Sequence, residues 1–182
     1  MHAEFGSFST VINDVRSPDA VSVQRGSTRD FPIRLVDIAM PYVDCPAYQE
    51  ICRTREIAIN THIDSVSASL KARVNHSNVT VILDGHTVNG KAVAVVKLDN
   101  GEDIGLTLLK TGAALYCPYA GHASSLAETA GYKKAEADAV VSKKGIWTNP
   151  KFVVRPYYCL GADEKLDQTS GRMSMVGSVA AR

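Results

Sequence analysis

With 182 residues, 45% of them hydrophobic, and a formal net charge of +1, the chain has material for one core plus an extension. Its Lys and Arg residues are dispersed, which argues against a strongly electropositive nucleic-acid binder and leaves room only for a local patch. No apolar run approaches the roughly 20 residues that span a bilayer. Met1-His2-Ala3-Glu4-Phe5 lacks the basic and apolar regions of a secretory leader, so a start in the cytoplasm and no membrane partner are expected.

In chain order, Phe8–Asp14 and Val21–Gln24 read as strands separated by the turn Ser17-Pro18-Asp19, and Phe31–Ile38 reads as a third strand. Ile59, Ile63, Val66, Leu70 and Val74 recur at intervals of three and four, one stripe of an amphipathic helix. Asn78–Leu83 and Lys91–Leu98 are strand-like and joined by a polar, Gly-containing hairpin. Asn100-Gly101 signals a turn into a short helix that stops at Gly112. Ser124–Lys144, rich in Ala, Glu and Lys, is expected to be helical and capped by Gly145.

The segment Ile33-Arg34-Leu35-Val36-Asp37-Ile38-Ala39-Met40-Pro41-Tyr42 resembles the signature I-R-L-x-G-I-D-A-P-E of the staphylococcal nuclease-like (thermonuclease) family. Arg34, Leu35, Ile38 and Pro41 match, whereas the signature's Asp is Ala39 and its Glu is Tyr42. Asn89-Gly90-Lys91 stands where that family has Y-G-R. Leu106–Tyr116 looks like its L-V-x-x-G-x-A-x-x-Y, and Tyr132, Glu136 and Lys144-Gly145-Ile146-Trp147 resemble its Y-x-x-x-E…G-x-W ending. The resemblance implies an α+β fold, an OB-type five-stranded barrel with about three helices, whose open face and loops usually take the ligand. It divides the chain into an N-terminal arm (1–7), a barrel domain (8–149) and a tail (150–182).

The family resemblance also implies a chemistry: a bound calcium ion, a carboxylate that activates water, and two arginines on the phosphate. Calcium needs about six to eight oxygen ligands, several of them anionic. From that set Asp19 survives, in Ser17-Pro18-Asp19-Ala20-Val21, which is similar to the family's G-D-T-V turn. Ala39 offers no side-chain oxygen, and Met40 offers only its backbone carbonyl. Tyr42 cannot replace a glutamate base, because its unperturbed pKa is about 10. Lys91 keeps the charge of the second arginine but loses the two-pronged grip. Arg34 is retained. No metal and no other cofactor is therefore expected.

Asp37 and Asp44 lie two residues to either side of this pair of losses. A step of two along a strand displaces a side chain by about 6–7 Å, too far for a hard-metal site unless a bulge absorbs it. Solvated acids in a loop or at a strand end are the preferred reading of both. Arg34 and Asp19 also have a purely structural reading, as an ion pair that fixes neighbouring strands. The histidines His2, His62, His76, His86 and His122 show no metal-ligand spacing, and surface or turn positions are expected for all five.

Cys45, Cys52, Cys117 and Cys159 lack C-x-x-C spacing and permit three pairings. A Cys45–Cys52 bridge needs Cys45 to precede the helix, since seven helical residues span ~10 Å. In a cytosolic monomer four reduced, buried thiols are expected; in a particle later released from a cell the same residues can act as staples. Lys151–Leu160 is aromatic and β-branched, and Gly161–Arg182 is polar and too weakly apolar to order itself.

Three function classes remain. A non-catalytic subunit of a larger assembly, such as a phage tail or neck component of a virion, would use residues 148–182 and the N-terminal arm to contact other chains. A divergent calcium-dependent nuclease would rely on Asp19, Arg34, Lys91 and a relocated acid. A single-stranded nucleic-acid binder would present Arg34, Lys91 and Tyr42 on the barrel face. The first is preferred because the acids are missing.

Overall fold

The computed structural model describes residues 5–41, 50–118 and 124–149, together with Pro156 and Cys159; the side chains of residues 5 and 50–52 are excepted. Tyr42, Asp44, Cys45, the Cys52 side chain, His2, His122 and nearly all of the tail lie outside them. The strands and α-helices follow in order. They are β1 (Phe5–Ser17), β2 (Ala20–Arg25), β3 (Thr28–Leu35), β4 (Ile38–Ala39), α1 (Glu50–Val74), β5 (Asn78–Val88), β6 (Lys91–Leu98), α2 (Ile104–Lys110), β7 (Leu115–Tyr116) and α3 (Tyr132–Val141).

Five strands close into a barrel in the order β1-β2-β3-β6-β5, and β4 pairs with β7 in a separate two-stranded sheet. All barrel pairings are antiparallel except β3 with β6, where Ile33, Arg34 and Leu35 face Ala92, Val93 and Ala94 in parallel register. Alternation sets which side chains fill the interior. Ile12, Val21, Val23, Ile33, Leu35, Val81, Val96 and Ala94 are fully or almost fully buried in one continuous core. Leu70 and Val74 of α1, Ile104, Leu108 and Leu109 of α2, and Tyr132 of α3 extend the same core.

The helical stripe is as expected: Ile59, Leu70 and Val74 are buried, and Ile63 and Val66 are half-buried. The helix stops because His76 turns into a left-handed conformation (φ 61°), and its backbone N–H donates to Ile12 O at 2.8 Å. That bond hands the chain directly to β5 beside β1. The β5–β6 hairpin turns on Asn89 and Gly90, both at positive φ, 51° and 75°. Among the described residues no helix is long and apolar enough to cross a membrane.

Three expectations about elements are corrected. The third strand does not run to Ile38; it ends at Leu35, and Asp37, at φ 52°, turns the chain before β4. Of Ser124–Lys144 only Tyr132–Val141 is α-helix, preceded by a 3₁₀ turn over Ala127–Gly131. Gly145 is not the helix cap. It opens the next 3₁₀ turn, Gly145–Thr148, packed on Gly112, whose carbonyl accepts from Ile146 N at 2.9 Å.

The two residues that open the family-like Y-x-x-x-E stretch have architectural jobs. Tyr132, 1% exposed, donates its hydroxyl to the Asp103 carboxylate at 2.8 and 2.9 Å. Asp103 in turn caps α2 by accepting from Leu106 N at 3.0 Å. One turn further along α3, Glu136 accepts from Tyr116 N at 2.8 Å and so holds β7 in place.

Candidate functional site

Asp19 leaves the β1–β2 turn pointing at Arg34 of β3, with 3.4 Å between the guanidinium and the carboxylate. Ser17 donates its hydroxyl to the other Asp19 oxygen at 2.6 Å, and Arg34 reaches Ile38 O at 3.5 Å. Both charged side chains are 16% exposed. The two residues that pattern alone offered either as catalytic remnants or as a strand-fixing pair are thus joined in an ion pair. Lys91 starts β6 beside the hairpin, opposite Val88. It shares a strand face with Val93, the register partner of Arg34, but stands about 7 Å further along.

Ala39 is fully buried and forms a small apolar cluster with Cys117 and Cys159. These two cysteines make a disulfide across a sequence separation of 42. Of the pairings that spacing left open, the structure therefore selects this one, so reduced thiols do not describe Cys117 and Cys159. The bridge lies directly on the residue that stands where the family signature has its aspartate. Pro156, three residues before Cys159 and bonded to it through Cys159 N at 2.9 Å, is also buried. It lines a groove with Asp19, Met40, Pro41 and Ile59.

Calcium does not fit these residues. Asp19 is engaged with Arg34 and Ser17, Ala39 is covered, and among the described residues no three His, Cys, Asp or Glu side chains converge as a metal-binding group. Asp37 lines a separate cleft from the groove that holds Asp19, and no metal-binding group among the described residues includes either acid.

What sequence reading missed is an acidic corner on the other side of Arg34. Asp37 occupies the position of the signature's glycine, and its φ of 52° is one that Asp tolerates better than most residues. Asp84 sits at a register shift in β5 between Leu83 and Thr87, with Gly85 at φ 81°. A glycine inside the strand pattern at Asp84-Gly85-His86 is the signal that could have revealed this bulge. Ser124 ties the two acids together: its N–H donates to Asp37 Oδ2 at 2.9 Å, and its hydroxyl donates to Asp84 Oδ1. His86 donates Nδ1–H to the other Asp84 oxygen at 2.9 Å. Asp37 and Asp84, 8% and 7% exposed, line a cleft of 320 Å³ whose apolar wall includes Leu35, Val36, Ile38, Val88 and Val93. His86 is an exposed residue at this cleft, and His62 is half-buried with its Nε2 bonded to Ala113 O at 2.9 Å, so the surface expectation fails for His62.

Burial pushes the Asp37 carboxyl up to about 6, against the Ser124 N–H that lowers it and with the Asp84 charge adding to the rise. The sign of the stability linkage follows. A carboxyl whose folded value is above its unfolded value stabilises the fold fully below about pH 4, and that contribution is lost as pH rises through about 6. Two units correspond to about 3 kcal/mol at most. Asp37→Asn, which keeps the left-handed turn and a carbonyl for Ser124 N, should match the parent at pH 4 and exceed it by about 2 kcal/mol at pH 8. Urea unfolding at the two pH values measures this; equal stability of the two proteins at pH 8 would rule it out.

A closed five-stranded mixed barrel with three α-helices defines the class: an OB-type nuclease fold. The family model for staphylococcal nuclease homologues matches residues 32–149, and the chain belongs to that family. No curated protein matched the chain.

Proposed function

We propose that this chain is a catalytically retired member of the nuclease family and serves as a non-enzymatic subunit of a larger assembly. One observation carries the reading: Ala39 is wholly buried beneath the Cys117–Cys159 disulfide. A carboxylate restored there would be an unpaired charge in an apolar pocket, at a cost of several kcal/mol. The position has thus been rebuilt as core rather than left as a vacant ligand site. Arg34 directs its charge to Asp19, which supports the structural role of that pair over phosphate binding.

The same disulfide favours a place where thiols are oxidised. That suits a released particle, such as a virion with this chain in its tail or neck, better than the cytoplasm. Residues 148–182 and the N-terminal arm are the segments proposed to meet other chains.

The test uses the purified full chain with denatured DNA and with single-stranded oligonucleotides. No calcium-stimulated cleavage and no salt-sensitive oligonucleotide binding are expected. Cleavage that calcium stimulates and that Arg34→Gln abolishes would establish a nuclease instead. Affinity that falls steeply between low and moderate salt would establish a single-stranded nucleic-acid reader.

A further inference from the structure

We infer that the cleft beside Arg34 is a binding site for a small organic cation, an ammonium or amidinium carried on one apolar ring. Its volume of 320 Å³ is at the small end of ligand pockets, so a single ring with a short charged arm is the size it takes. One side of its wall is aliphatic: Leu35, Val36 and Ile38 from the end of β3 onward, Val88 and Val93 from the hairpin.

Its polar end offers acceptors. Asp37 is 8% exposed and lines the cleft, and its Oδ1 has no hydrogen-bond partner among the described residues; only Oδ2 is used, by Ser124 N. Asp84, 7% exposed, stands across Ser124 from it. Two buried carboxylates held by one serine repel each other, and a cation at Asp37 Oδ1, on the cleft side, offsets that repulsion and uses the free acceptor site of that oxygen. Neither acid has to move, because the left-handed turn at Asp37 and the β5 bulge at Asp84 already orient them.

The other charged groups do not reverse the sign. Arg34 lines the same cleft, but Asp19 answers its charge, and His86 is bonded to Asp84 through Nδ1. An anion would meet two carboxylates, so a phosphate-bearing ligand is disfavoured. The loss of nuclease chemistry concerns Ala39 and its disulfide cover, and it leaves the acids of this cleft in place.

Benzylamine is the probe, titrated into the full chain by calorimetry at pH 8 and pH 5, with benzyl alcohol and benzoate as neutral and anionic comparators. Benzylamine should bind at least tenfold more tightly than either comparator at pH 8. Its affinity should fall at least tenfold at pH 5, where Asp37 carries a proton. Asp37→Asn should cost at least tenfold in affinity with an unchanged circular dichroism spectrum, and Asp84→Asn gives a second, separately folded check. Equal binding of the amine and the alcohol, preferential binding of benzoate, or undiminished affinity in both variants would overturn the proposal. So would an absence of amine binding combined with loss of stability in both variants, which would make the two acids mere anchors for the Ser124 segment.

Discussion

Gly112→Ala should destabilise the protein by at least about 3 kcal/mol. Gly112 has φ +66°, and a Cβ built there would lie 2.2 Å from Lys144 O. The contact is reciprocal: a Cβ on Gly145, at φ +53°, would lie 2.2 Å from Gly112 O. Both obstacles are backbone, so no side-chain rotation relieves them. The end of α2 and the chain leaving α3 touch here without side chains between them, and the bond from Ile146 N to Gly112 O seals the junction. A control separates overlap from backbone preference. Gly26 has a similar φ of +57°, and a Cβ added there would meet nothing within 4 Å, so Gly26→Ala should lose only about 1 kcal/mol. Urea midpoints of the two variants decide the matter; comparable losses would show that steric contact at Gly112 is not the cause.

Removing the Cys117–Cys159 bridge, by reduction or by Cys117→Ser with Cys159→Ser, should cost about 4 kcal/mol. The sequence separation is 42, and closing a loop of that length takes about this much entropy from the unfolded chain. The native side also loses packing, since the bridge is the roof over Ala39 and ties Pro156 to the groove beside Asp19. Unfolding midpoints with and without dithiothreitol measure the effect, and the double variant should show no response to the reductant at this bridge. An unchanged midpoint on reduction of this bridge would contradict the expected loss.

The outcome at Arg34 illustrates how far local pattern carries. Ser17-Pro18-Asp19 and the β3 segment each read correctly as turn and strand, and their residues placed Asp19 and Arg34 among the candidates. Whether the two met a phosphate or each other was a question of distance, and only the 3.4 Å contact separates the readings. Asp37 shows the opposite case. Treated as a strand residue, it stands displaced along the chain from the useful face; as a left-handed turn residue it faces inward to a cleft. The period of a strand cannot announce where that strand stops.

Residue identity and short-range periodicity determined a great deal: the order of the five barrel strands and three helices, the helical stripe from Ile59 to Val74, and the departures from the family signature at Ala39 and Tyr42. Each of these is written within a few residues, so no distant partner is needed to read it. Tertiary structure alone decided that Cys117 pairs with Cys159, that their bridge covers Ala39, and that Asp37, Asp84 and Ser124 share one corner. Those groups are separated by 42, 40 and 87 positions in the pairs Cys117–Cys159, Ser124–Asp84 and Ser124–Asp37. Burying the apolar surface of the barrel packs the connecting segments against it and against one another, which brings these groups together across long stretches of sequence.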